Sequence, residues 1–240
     1  MTLINDKSTD IQVWFLRHGK TDFNYDNSNY DDFIQMLCNG HSTPLATDHG
    51  IDFISLPKRV DLVGYSPTTR AVETAELLRD KLCAKRMEEL ELLREVRFDG
   101  DIIRRKEYKS LANSRKYILK RWYDGSNKAE TFEDSLARVR QIESFLSEQQ
   151  EKTIILVTHG WILRLLDVYF VHSKRTDITL EDILNVKPVA LGHCIKATVA
   201  RKCRIESIME LAGGDILSSS LATLTGSLAT ENISYNLPQR

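Results

Sequence analysis

The sequence predicts an α/β protein, a three-layer α/β/α sandwich around a mostly parallel central sheet. Three observations carry this expectation. Short apolar, β-prone runs alternate with stretches of helical periodicity through most of the chain, as in a sheet covered by helices. The run Thr153–Val157 (TIILV) is unbroken and apolar, as a strand buried on both faces must be. Two of the β-prone runs each end in His-Gly, and open α/β sheets collect their ligand sites at strand C-termini.

The elements follow in order. Residues 11–16 (IQVWFL) read as a buried strand. From Lys20 to about Gly50 the chain is rich in Asn, Asp, Ser and Gly and reads as a long loop with some local structure. Residues 60–65 (VDLVGY) predict a second strand. Ser66-Pro67-Thr68 then starts a helix that carries Ala71, Ala75, Leu78 and Leu82 on one face. Residues 88–93 (EELELL) fit helix or strand, and their place between helices favours a strand. Residues 103–123 are basic, aromatic and helical in pattern. Thr131-Phe132 opens a helix with Leu136, Val139, Ile142 and Leu146 on one face. After Thr153–Val157, the stretch 160–171 is a helix apolar on most sides, and Thr179 to Leu184 is a short capped one. Residues 189–199 and 203–210 read as final strands. The domain is expected to span 1–210, with a flexible Ser/Thr/Gly/Leu-rich tail over 211–240.

Bulk properties narrow the function classes. The 240 residues are 42% apolar and 28% charged, ordinary for a globular protein able to bury a core without staples. A net charge of −1 supplies no global field for nucleic acid or an anionic membrane. Cys38, Cys83, Cys194 and Cys203 form no CxxC pair and no metal-type spacing, so free thiols in a reducing compartment are expected and a metal site is not. The polar N-terminus lacks the apolar core of a secretory signal, and no apolar run is long enough to cross a bilayer. A cytoplasmic location is expected. The oligomeric state stays open, a homodimer being one option.

The chemistry gathers at strand ends. The first strand runs into Arg17-His18-Gly19, the TIILV strand into Thr158-His159-Gly160, and Arg70 opens the helix after the second strand. Two imidazoles and two guanidiniums can thus meet at one rim. Arg17 and Arg70 offer paired N–H donors to phosphate oxygens. The helix starts after Ser66 and Gly160 add backbone N–H groups, and a neutral imidazole can attack phosphorus. Either histidine taken alone is as compatible with a structural role; the matched placement of both, with Arg70 between, points to a phosphoryl group.

These residues resemble the histidine phosphatase superfamily, also called phosphoglycerate-mutase-like, over about residues 11 to 210. The resemblance rests on Phe15-Leu16-Arg17-His18-Gly19-Lys20-Thr21 with Asn24, on Ser66-Pro67-Thr68-Thr69-Arg70-Ala71-Val72-Glu73-Thr74-Ala75, on Leu93-Arg94-Glu95, and on Val157-Thr158-His159-Gly160. It implies that His18 is the nucleophile and that Arg17, Arg70 and His159 complete the phosphate pocket. Asn24 and Thr21 would add hydrogen bonds. Glu95 would be the proton donor to the leaving oxygen and then the base for the hydrolytic water. It also implies a metal-independent reaction without cofactor on a small phosphorylated substrate.

Departures from the pattern shape the expected activity. Lys20 stands where the family often has Glu, and is either a charge beside the phosphate pocket or a solvated side chain. The run after Glu95 matches only in part, and the segments that mark phosphoglycerate mutases are not recognisable, which favours a phosphomonoesterase over a mutase-type transferase. A non-catalytic phosphate-binding module is the third reading. Residues 25–43 and 96–130 are expected to form cap segments at the mouth of the site. Residues 94–121 hold ten Lys or Arg against four acids, with Tyr108 and Tyr117 among them and Trp122 adjoining. That run reads as a solvated face or a basic rim that draws in anions, and nucleic-acid binding is not expected from it.

Overall fold

The computed structural model describes residues 10–23, 29–39, 43–108, 111–173 and 176–201. Among these residues the sheet has five strands: β1 (Ile11–Arg17), β2 (Leu62–Tyr65), β3 (Arg86–Glu89), β4 (Thr153–Thr158) and β5 (Cys194–Val199). Their order is β3-β2-β4-β1-β5, all parallel except β5, which runs antiparallel to β1. The helices are α1 (Tyr30–Asn39), α2 (Thr69–Leu82), α3 (Leu111–Tyr123), α4 (Phe132–Glu148), α5 (Gly160–Leu166) and α6 (Leu180–Asn185).

Alternation along the strands makes the layers. Ile154 and Leu156 join a core with Trp122 of α3, Val139 and Ile142 of α4, and Leu163 of α5. Ile155 and Val157 face the opposite way, onto Ala71, Ala75 and Leu78 of α2. Successive side chains of an extended chain point to opposite faces, so a strand apolar at every position must be covered twice. The expected three-layer, mostly parallel architecture is therefore what the chain adopts.

The differences lie at the edges. A ten-residue helix, α1, occupies part of the stretch expected to be a loop. The expected strand over 88–93 is displaced: β3 covers Arg86–Glu89 and a 3-10 turn covers Glu91–Leu93. Leu90 donates its N–H to the Tyr65 carbonyl at 2.8 Å, at the end of β2, and the chain then turns inward to bury Leu93. The helix expected over 160–171 is α5 followed by a five-residue π-helical turn from Asp167 to Val171. The helix expected over 103–123 begins as a 3-10 turn at Arg105–Glu107 before α3. Of the stretch 189–199 only Cys194–Val199 is strand. These residues belong to one compact unit ending at Arg201; the expected strand over 203–210 and the tail over 211–240 lie outside the described residues. No helix among the described residues is long and apolar enough to cross a membrane.

Candidate active site

The parallel register sets the site. Arg17 pairs with Thr158, so β1 and β4 end side by side and His18 and His159 leave the sheet together, their rings 5.1 Å apart. β2 flanks β4 on its other side, and the chain beyond it turns through Ser66 and Thr68 into α2, which places Arg70 one turn away. The Gly19 N–H donates to Thr74 Oγ1 at 3.0 Å, and that hydroxyl donates to the Arg70 carbonyl at 2.7 Å, tying the His18 turn to α2.

Arg70 lies between the two imidazoles. Its Nε–H donates to His18 Nε2 at 3.0 Å, and a terminal N–H donates to His159 Nδ1 at 3.1 Å. A guanidinium can only donate, so both ring atoms it touches carry lone pairs. His18 Nδ1–H in turn donates to the Gly19 carbonyl at 2.8 Å. His159 Nε2–H donates to Ser66 Oγ at 2.8 Å and reaches Thr68 Oγ1 at 3.2 Å. Burial, then Arg70, then Arg17 hold His18 well below the ordinary imidazole value of 6.5. Burial and then Arg70 do the same for His159. Both rings are neutral, and His18 has its lone pair on Nε2.

A cavity of about 360 Å³ opens beside them, and its wall includes Arg17, His18, Arg70 and Glu95. Arg17 is fixed by an N–H donated to the Val189 carbonyl at 2.8 Å. Gly160 leaves room for it, since a Cβ there would come within 3.2 Å of the guanidinium carbon. His159 is fully buried and sits behind Arg70, outside the cavity wall. Thr21 is also off the wall; its backbone bridges Leu45, and its Oγ1 is buried without a hydrogen-bond partner among the described residues. Asn24 lies outside the described residues. Lys20 turns to an exposed ion pair with Asp48 at 3.0 Å.

Glu95 occupies a position the sequence did not reveal. It caps α5: Oε1 accepts from the Trp161 and Ile162 N–H groups at 3.0 Å each, and from Val96 N–H at 3.0 Å. The N-terminal N–H groups expected to meet phosphate there are thus engaged by the Glu95 carboxyl group. Burial raises the Glu95 pKa above the ordinary carboxyl value of 4.5, and the three backbone donors and Arg70 pull the other way. The remaining wall is mixed. Phe33 and Met36 come from α1, Trp161 from α5, and Arg97 and Arg115 from the 96–130 stretch. Those two stretches meet: Tyr30 donates its hydroxyl to the Ile103 carbonyl at 2.9 Å, Phe33 stacks on Tyr108 at 5.0 Å, and Arg105 pairs with Asp31. Among the described residues no cluster of three or more His, Cys, Asp or Glu side chains is arranged to hold a metal ion.

Sequence reasoning missed Ser66 and Thr68 as partners of His159, and missed Glu130 and Arg138, whose ion pair lies behind Glu95. Ser66 and Thr68 were legible as a helix start but not as imidazole partners.

No curated protein matches the chain. Among solved structures, a mycobacterial glucosyl-3-phosphoglycerate phosphatase superposes with a TM-score of 0.55 at 16% identity, covering 79% of this chain and 90% of that one. The alpha-ribazole phosphatase from Shigella flexneri gives 0.52 at 21% identity, covering 80% and 95%. A phosphoglycerate mutase from Bacillus anthracis gives 0.50 at 18%, covering 79% and 88%. At these identities the likeness is one of fold. The family model for the histidine phosphatase superfamily (branch 1) matches residues 52–188, a span that holds Arg70, Glu95 and His159 and begins after His18. That match takes in more than half of the 240 residues, and the chain belongs to the histidine phosphatase superfamily.

Proposed function

We propose that this chain is a phosphomonoesterase that works through a phosphohistidine on His18. The observation that carries the reading is the guanidinium of Arg70 shared between two neutral imidazoles, one of which presents its lone pair at the cavity wall. A phosphate monoester entering the cavity takes over the N–H donors of Arg70, and Arg17 supplies further donors to the phosphoryl oxygens. His18 Nε2 then attacks phosphorus as the bond to the leaving oxygen breaks. Glu95, protonated, hands its proton to that oxygen, and the alcohol departs. The Glu95 carboxylate next takes a proton from water, whose oxygen attacks phosphorus and breaks the P–N bond, releasing inorganic phosphate. The positive charge that stabilises the equatorial oxygens comes from preorganised guanidiniums, which cost no rearrangement during reaction.

The leaving group would lie between the apolar α1 side of the cavity and the basic side formed by Arg97 and Arg115. This supports a small organic phosphate as substrate, with α1 and the 96–130 stretch acting as its cap.

The test is a panel of phosphate esters run with wild type and His18→Ala. The mutant should lose at least ~10³-fold in kcat/KM, the scale of losing a covalent nucleophile. Acid quench of the wild type should trap an acid-labile phosphoenzyme that the mutant lacks. A His18→Ala protein that keeps its rate would overturn the reading. Isomerisation of a phosphoglycerate on adding 2,3-bisphosphoglycerate would shift it to a mutase-type transferase.

A further inference from the structure

We infer that the ion pair between Glu130 and Arg138 is a positioning device that holds the Glu95 segment from behind, an inference that rests on the reading of Glu95 as proton donor. Glu95 needs such a device because of where it sits. Its neighbours Leu93 and Val96 are anchored in the core. Glu95 itself lines both the catalytic cavity and a second hollow that Glu130 and Arg138 also line. With open space beside Glu95, packing of Leu93 and Val96 is supplemented by hydrogen bonds in locating the segment.

The bonds come from both flanks. On the N-terminal side one Arg138 terminal nitrogen donates to the Leu92 carbonyl at 3.0 Å and to the Arg94 carbonyl. Arg94 is the residue immediately before Glu95. On the C-terminal side Glu130 Oε2 accepts the Arg97 N–H at 3.0 Å. Its other oxygen accepts from Arg138 and from Ser135 Oγ, the latter at 2.6 Å. Asn127 closes the frame by donating to the Arg97 carbonyl at 2.8 Å and to the Glu130 carbonyl at 2.6 Å. The pair is well shielded, with side-chain exposures of 15% for Arg138 and 8% for Glu130. Residues 92, 94 and 97 are thereby tied to α4 and the loop before it, and Glu95 is carried between them. The planar fork of Arg138 suits this task, since it offers several donors in one fixed plane.

Neither side chain lines the catalytic cavity, so the pair acts through Glu95. That gives the inference a signature a structural role alone lacks. 4-Nitrophenyl phosphate releases its leaving oxygen without a proton, whereas benzyl phosphate needs one. kcat/KM reports only the steps through leaving-group departure, so comparing the two esters isolates proton donation. Arg138→Lys keeps a charge beside Glu130 but loses the fork, and Glu130→Gln is close to isosteric. In each, kcat/KM for benzyl phosphate should fall by ~10–100-fold, a share of the ~10²–10⁴ a placed acid contributes. For 4-nitrophenyl phosphate it should change by no more than about 3-fold on the same scale. Glu95→Gln should show the same selectivity in larger degree.

A parallel loss on both esters would mean the pair only supports the fold, and no loss on either would mean Glu95 is located without it. Both results overturn the inference while leaving Glu95 intact as the acid. If Glu95→Gln itself shows no selectivity, the assignment of the acid fails, and the positioning role fails with it.

Discussion

At His18 the Nδ1–H bond to the Gly19 carbonyl leaves Nε2 as the lone-pair nitrogen, and burial together with Arg70 and Arg17 keeps the ring neutral into the acid range. Glu95 is displaced in the opposite direction, its carboxyl raised by burial. In the proposed mechanism the working state has His18 neutral and Glu95 protonated. Activity must therefore rise with pH as His18 loses its proton, below 6.5, and fall as Glu95 loses its own, above 4.5. We predict that kcat/KM for an unactivated ester is bell-shaped with its optimum on the acid side of neutral, and that Glu95→Gln abolishes the alkaline limb. A profile that stays flat to about pH 9 would rule out Glu95 as the acid. Residue identity at strand ends made His18 and His159 legible, and the start of the helix after the second strand made Arg70 so, because side chains there have few places to point. The seat of Glu95 on α5 was not legible: a carboxyl group 66 and 67 positions from the α5 N–H groups it accepts leaves no local pattern.

Helices and turns decide how firmly those side chains are held. Gly192 has φ of +75°, and a Cβ there would come within 2.3 Å of the Gly50 carbonyl oxygen. Its N–H donates to the Arg17 and His18 carbonyls at 3.2 and 3.0 Å, so the residue that has no room for a side chain also steadies the turn that carries His18. Gly192→Ala should cost about 1–3 kcal/mol or more, read from the denaturation midpoint, and should lower activity as well. Gly125→Ala provides the contrast, since φ there is +77° but nothing lies within 4 Å of its added Cβ; it should lose only the backbone share, with activity kept. Equal losses for the two would show that the Gly50 contact is unimportant. The element most misjudged from sequence, α1, shows why composition misleads. Tyr30, Phe33, Ile34 and Leu37 have the spacing of one helical face, and they pack on the core, but the many Asn and Asp around them suggest loop. β3 was displaced for a related reason: an edge strand reading Arg-Met-Glu-Glu carries the charges that discourage edge pairing and so lacks an apolar signature.

Across the whole molecule, the proposed reaction divides the work: the sheet end would supply the phosphate chemistry, and a separate set of segments would surround the leaving group. Met36 is half-buried on the α1 side of the cavity. If α1 is the cap, Met36→Ala should change the ratio of kcat/KM between bulky apolar and small polar esters by ~10-fold or more, the scale of one hydrophobic contact in a specificity pocket. Inhibition by inorganic phosphate should stay as it was. An unmoved ratio would remove α1 from substrate selection. The sequence by itself determined the layered α/β class and the meeting of Arg17, His18, Arg70 and His159. Periodicity of two and of 3.6 reports burial directly, and parallel strands carry whatever ends them to one edge. Only the tertiary structure decided that Arg70 bridges the two imidazoles, that Glu95 caps α5, and that Glu130 and Arg138 stand behind it. Those relations depend on distances between segments far apart along the chain, and hydrogen bonds across such separations leave no periodic trace in the residues that make them.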